Sequence, residues 1–274
     1  PDFKFIFYWE WAHRLWARML GVVFAIGFIY FFVRKYFDKQ MVKPFIILFI
    51  LGGMQGFVGW KMVESGLNDT ELYVKHTWLA THFLSALTLM GYTLWFALAL
   101  LVPEERRVNA PATFRQVVGI VVLTYVQLAW GAFMAGMHAS KSAPTWPTIN
   151  GDMIPAGLMN NSFVSNPINV QFMHRMLAYL LLAVITTWYF AAGKAVKSAP
   201  GSLLGKTRTI SLALVWGQVV LGIVTVLCAP RIVFGQFGTY EILAEAHQLV
   251  GMFLLMSLVA NVYVTRKSAV SVAI

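Results

Sequence analysis

The chain has 274 residues, of which 59% are hydrophobic and only 12% charged, and its mean hydropathy is +0.68. Soluble domains average about 45–50% apolar and about 25% charged, so the composition excludes a water-soluble globular protein and implies one that crosses a membrane repeatedly. The formal charge of +10 does not indicate nucleic acid, because its distribution follows the loops.

Seven apolar segments reach the roughly 20 residues a helix needs to cross the hydrocarbon layer. They are 12–33, 44–62, 77–101, 114–137, 169–192, 209–228 and 242–264. None shows the alternating pattern of an outer-membrane strand, so the predicted fold is an all-α integral membrane bundle. Arg34, Lys35, Lys39 and Lys43 follow the first segment, and Arg106, Arg107 and Arg115 flank the third loop. Lys194, Lys197, Lys206 and Arg208 follow the fifth segment, and Arg266 and Lys267 the last. If the segments alternate, all of these lie on one side. The other side has Lys4, Lys61, Lys75, Lys141 and Arg231 outside the helices. Basic loops mark the cytoplasmic or matrix side, so the charge is a topology signal. Cys228 is the only cysteine, which rules out an internal disulfide or thiolate cluster and reads as a small apolar residue near a helix end.

The segments are of two kinds. Gln55-Gly56-Phe57-Val58-Gly59, Gln127-Leu128-Ala129-Trp130-Gly131 and Gln218-Val219-Val220-Leu221-Gly222 share a Q-x-x-x-G element, and the segments between them carry histidines. His13 precedes Gln55 by 42 residues and His174 precedes Gln218 by 44, while His82 follows Gln55 by 27 and His247 follows Gln218 by 29. The second half therefore reads glutamine, histidine, glutamine, histidine, and the first reads histidine, glutamine, histidine. The pattern predicts an eighth helix ahead of Pro1 and two pseudo-symmetric four-helix halves, 1–109 and 110–274. These would be related by an axis along the membrane normal. The glycines suit close helix packing and equally a flat ring lying against the helix.

His13, His82, His174 and His247 each sit near the start of a segment, and the four segments run in the same direction, so the histidines lie near the face opposite the basic loops. Ionisable side chains inside a membrane are costly and mark function. Neutral imidazole is a good haem-iron ligand, and facing helices of a bundle bring two side chains to one cofactor. The expected pairs are His13 with His82 and His174 with His247, giving two porphyrin sites. His76 lies about 240° around the helix from His82 at about 100° per residue, so both cannot face one ring. It and His138 read as interfacial. Glu10 shares a face with His13 if the helix begins that early. It would then move protons or stabilise positive charge beside a redox ring, or else favour the helix N-terminus. Arg14 and Arg175 adjoin histidines where propionates would emerge, and suit carboxylate pairing or interfacial snorkelling. The long loop 138–167, with Pro144-Thr145-Trp146-Pro147-Thr148 and Asn150-Gly151-Asp152, predicts an ordered cap over the second site.

These residues resemble the haem A synthase family. The likeness is carried by Glu10, His13 and Arg14, by Gly52-Gly53-Met54-Gln55-Gly56-Phe57-Val58-Gly59-Trp60 and by Ser65-Gly66-Leu67. It continues through His82, Thr145-Trp146-Pro147, Met173-His174-Arg175 and Ala246-His247-Gln248. The resemblance implies eight helices in two halves, haem b iron held by His174 and His247, and substrate haem O between His13 and His82 with Arg14 beside it. Glu10 would be catalytic, Arg175 would contact a propionate, and a porphyrin methyl would be oxidised stepwise to a formyl group, giving haem A for cytochrome oxidase. Haem O synthase and an electron donor are the implied partners. A bacterial plasma membrane is favoured over a mitochondrial inner membrane, with the histidine ends near the outer face, and homo-oligomerisation is left open. Some bacterial members carry cysteine pairs in their outer loops, and the 138–167 loop here has none.

The competing reading is a two-haem cytochrome b using the same four histidines and no Glu10. A di-iron hydroxylase would need histidines three or four residues apart, and none are. A prenyltransferase would need acidic Mg²⁺-binding clusters, which Asp69 and Glu71 alone do not supply.

Overall fold

The computed structural model describes residues 2–66, 73–158, 162–232 and 237–266, with side chains from residue 7 onward. Asp69 and Glu71 lie outside the described residues, as does Leu67. The described residues form α1 (Asp2–Val33), α2 (Lys39–Glu64), α3 (His76–Leu101) and α4 (Pro111–Gly136). They continue with α5 (Pro167–Ala191), the short α6 (Gly193–Ser198), α7 (Leu204–Cys228) and α8 (Thr239–Thr265). All but α6 are long and apolar enough to cross a membrane. The only β pairing among the described residues is the isolated bridge Ile149–Asp152. This is an all-α, multi-pass membrane protein.

The helix starts follow local chemistry. Pro111 and Pro167 occupy the first turns of α4 and α5, where a missing N–H costs nothing and φ is preset. The Asn166 side-chain oxygen accepts from the Ile168 N–H at 2.9 Å, satisfying an orphan donor. At α8 the Glu241 carboxylate accepts from the Gly238 N–H at 2.9 Å. Helix α1 begins well before its apolar run, so the stretch expected to be a connecting loop is helical from Asp2. No Gly or Pro interrupts the sequence from there to Leu20.

Helices α4, α5, α7 and α8 pack together, with α7 against α8 the most extensive contact. Their shared core towards the basic end contains Val117, Ile120, Leu181, Ile185, Trp188, Val215, Leu254 and Leu258. Helix α3 packs on α4 and α8, α2 packs on α3, and α1 joins through α2. Phe24 and Phe28 of α1 meet Phe45 of α2, each at 6.1 Å, and Phe45 meets Phe96 of α3 edge-on at 5.1 Å. These contacts tie α1 down at the end away from its histidine.

A polar network joins α7 to α8. The fully buried Asn261 amide donates to Ser211 Oγ at 3.0 Å and to the Ser257 carbonyl at 2.8 Å. Its oxygen accepts from Thr207 Oγ1 at 2.7 Å. At the basic end, Arg107 lies 4.6 Å over the Tyr263 ring and Arg208 lies 4.4 Å over Tyr189, so these cations rest on aromatic faces.

Candidate functional site

Each Q-x-x-x-G helix meets the histidine of the helix that follows it. The Gln55 amide nitrogen stands 3.2 Å from His82 Nδ1 and 3.4 Å from Nε2, and donates to the His82 carbonyl at 3.2 Å. The Gln127 amide nitrogen stands 3.1 Å from His174 Nδ1 and donates to the His174 carbonyl at 3.0 Å. The Gln218 amide nitrogen lies 3.4 Å from His247 Nε2.

One turn further on, the motif glycine receives the ring, since residues four apart share a helix face. A Cβ built on Gly59 would lie 2.8 Å from His82 Cε1, and one on Gly131 would lie 3.3 Å from His174 Cε1. On Gly222 it would lie 2.9 Å from His247 Cε1. The flat ring against these glycines is therefore the imidazole itself. Gln and Gly form a socket that fixes each ring in depth and rotation, and the socket occurs three times.

The C-terminal pair converges. The rings of His174 and His247 have centres 6.2 Å apart and planes inclined by 77°. One iron between two imidazoles, with metal–nitrogen bonds of about 2 Å, sets ring centres roughly 6 Å apart, so the pair fits a bis-histidine haem. His247 Nδ1 and the amide oxygens of Gln127 and Gln218 are buried without a hydrogen-bond partner. Such atoms suit a site whose bonding is completed by a ligand.

The N-terminal pair is more open. His13 is exposed on α1, and among the described residues it makes no comparable ring contact with His82. Helix α1 does begin early enough for Glu10 and His13 to lie a turn apart. The Glu10 carboxylate accepts from Arg14 Nη1 at 3.1 Å, and the two side chains are 31% and 50% exposed. Arg14, expected at a substrate carboxylate, here holds the Glu10 carboxylate in place.

Arg175, expected at a propionate, reaches the loop that follows α4. Its guanidinium donates to the carbonyls of Thr148 at 3.1 Å, Ala143 at 3.2 Å and Thr145 at 2.8 Å. These three bonds tie the loop to α5 and use three of the five guanidinium N–H groups. The described residues of this loop are tied to the helices at further points. Trp146 Nε1 donates to the Tyr179 hydroxyl at 2.9 Å, and the Ser140 and Tyr240 hydroxyls are 2.6 Å apart. His76 stands edge-on to Phe133 at 5.6 Å and His138 to Tyr73 at 5.2 Å, both away from the sockets. Burial, helped by Lys141, lowers the His138 imidazole below its ordinary pKa.

Ser85 escaped sequence reasoning. It donates to the Gln55 amide oxygen at 2.5 Å and reaches the His82 carbonyl at 2.9 Å. Its position three residues after His82 places it on the histidine's face, which was the available signal.

The model of a family described as cytochrome oxidase assembly protein matches residues 1–259. A protein of Sinorhizobium medicae named "Heme A synthase" is 36% identical over 239 residues, covering 85% of this chain and 64% of that protein. Proteins of the same name from Maricaulis maris and Paracoccus denitrificans are 33% and 34% identical, covering 97% and 90% of this chain. The chain spans 64% of the Paracoccus protein's length and 75% of the Maricaulis protein's, about two thirds of the curated relatives it matches. The chain belongs to the cytochrome oxidase assembly protein family, alongside these haem A synthases.

Proposed function

We propose that the protein is a haem A synthase, an oxidoreductase that converts a methyl group of haem O into the formyl group of haem A. The observation that carries this reading is the inequality of the two histidine pairs. The rings of His174 and His247 lie 6.2 Å apart, whereas His13 lies open beside the Glu10–Arg14 ion pair. The relatives' shared name supports it.

In this reading His174 and His247 hold a resident haem b, which supplies a one-electron relay. The Gln127–Gly131 and Gln218–Gly222 sockets orient those imidazoles, and the cap stapled by Arg175 keeps water from them. Haem O is the substrate, and His13 of α1 and His82 of α3 would hold it. Glu10 stands one turn before His13 on α1, and its task is to take up protons released as the methyl group is oxidised. Arg14 holds the Glu10 carboxylate through their 3.1 Å ion pair. The N-terminal half, 1–109, is then the substrate half and 110–274 the haem b half. The positive-inside rule and the bacterial relatives favour a bacterial plasma membrane with the histidine ends outward. An enzyme making haem O and an electron donor complete the system.

The test is pigment extraction from cells co-expressing the chain with a haem O-forming enzyme. A formyl-bearing haem that disappears with His82→Ala supports the proposal. Haem b alone, at two per chain, would establish a two-haem cytochrome instead.

A further inference from the structure

We infer that Ser85 positions His82 through Gln55, letting the Gln55 amide turn over as the imidazole takes up and releases the iron of the haem substrate. This rests on the proposed reading of His82 as a substrate ligand.

A neutral imidazole has one nitrogen that accepts and one that donates. When His82 is free, an amide N–H directed at the ring finds a lone pair, and Gln55 presents its NH₂ group there. When one nitrogen binds iron, the other carries a proton and needs an acceptor behind it. The amide must then present its oxygen. Turning an amide over exchanges its two ends, so whatever bonded the oxygen must now bond the NH₂ group.

A hydroxyl is suited to that exchange, because it both donates and accepts. With the amide turned this way, Ser85 donates to the Gln55 oxygen at 2.5 Å. After the turn, Ser85 accepts from the Gln55 NH₂ group and donates to the His82 carbonyl, which it already reaches at 2.9 Å. Gln55 and Ser85 stay bonded to one another in both states. The other two sockets have no such group. Leu177 and Val250 stand three residues after His174 and His247, and the Gln127 and Gln218 oxygens are buried without a partner. Those units serve a haem that stays. The Ser85 unit serves one that comes and goes.

Removing the hydroxyl costs the iron-bound state two bonds and the free state one. Ser85→Ala should therefore weaken iron binding at His82 by roughly fivefold, on the scale of one hydrogen bond. It should also raise the reduction potential of the haem bound there, because the ring N–H loses a well-held acceptor. The experiment titrates ferric protohaem into full-length, haem b-loaded protein in detergent and follows the second equivalent by absorbance and redox titration. His82→Ala identifies that equivalent. Weaker binding with a raised potential, both restored by Ser85→Thr, is the expected result. An unchanged potential in Ser85→Ala, whether or not affinity falls, overturns the inference and assigns Ser85 to packing, leaving the proposed function intact. A second equivalent that survives His82→Ala overturns the inference together with the assignment of His82.

Discussion

Gly222 makes room for His247: a Cβ at that position would stand 2.9 Å from the ring's Cε1 and 3.5 Å from its Nε2. The imidazole is held by contact with backbone, so its direction is set by α7 as much as by α8. Gly217, on the same helix, has nothing within 4 Å of an added Cβ.

This contrast yields the first prediction. Gly222→Ala should push His247 off its line to His174 and weaken haem b binding by about tenfold, since overpacking costs about 1–3 kcal/mol. Gly217→Ala should leave haem b binding unchanged. Haem b content of the purified proteins after dialysis against a haem scavenger measures both.

Glu10 should matter only to the chemistry. Glu10→Ala should lower haem A formation by about 100-fold or more, the scale of a lost proton-transfer group, with haem b content unaltered. Pigment chromatography reads both quantities from one sample, and full activity in the variant would remove Glu10 from the mechanism.

Arg175→Ala should free the cap. Three carbonyls, of Ala143, Thr145 and Thr148, lose a charged donor, and bonds to charged groups contribute about 1.5–3 kcal/mol each. Limited proteolysis should cut within 143–152 at least several times faster than in the parent protein. Arg175→Lys should rescue only partly, because a point ammonium cannot span three carbonyls as the planar guanidinium does.

The polar network between α7 and α8 should contribute stability without touching the chemistry. Asn261→Leu removes three side-chain bonds, and such bonds in membrane bundles average about 0.6 kcal/mol each. A loss of about 1–2 kcal/mol in reversible detergent unfolding is expected. Turnover per folded molecule should be unchanged.

Much of this arrangement was legible in the sequence, for physical reasons. Apolar runs of membrane-spanning length have few alternatives, so seven helices followed from composition and spacing. The matched Gln and His positions exposed the repeated socket, because a helix partner needs its residues at a fixed depth. Lateral facts were hidden. That Gly59 touches His82, or that Arg175 reaches back to Thr145, depends on how helices and loops are turned against one another. That Arg14 also pairs with Glu10 and Arg175 also ties down a loop depends on the same lateral placement. The early start of α1 was missed because its first residues are too polar and aromatic to register as an apolar run.

On the proposed reading the two histidine pairs differ in kind, one retaining a haem and the other exchanging it. The most direct measurement counts the haems kept by the purified protein after prolonged exposure to a haem scavenger. One haem b per chain, lost in His174→Ala and His247→Ala but kept in His82→Ala, is the predicted result. Two retained haems b per chain, one of them lost in His82→Ala, would contradict it.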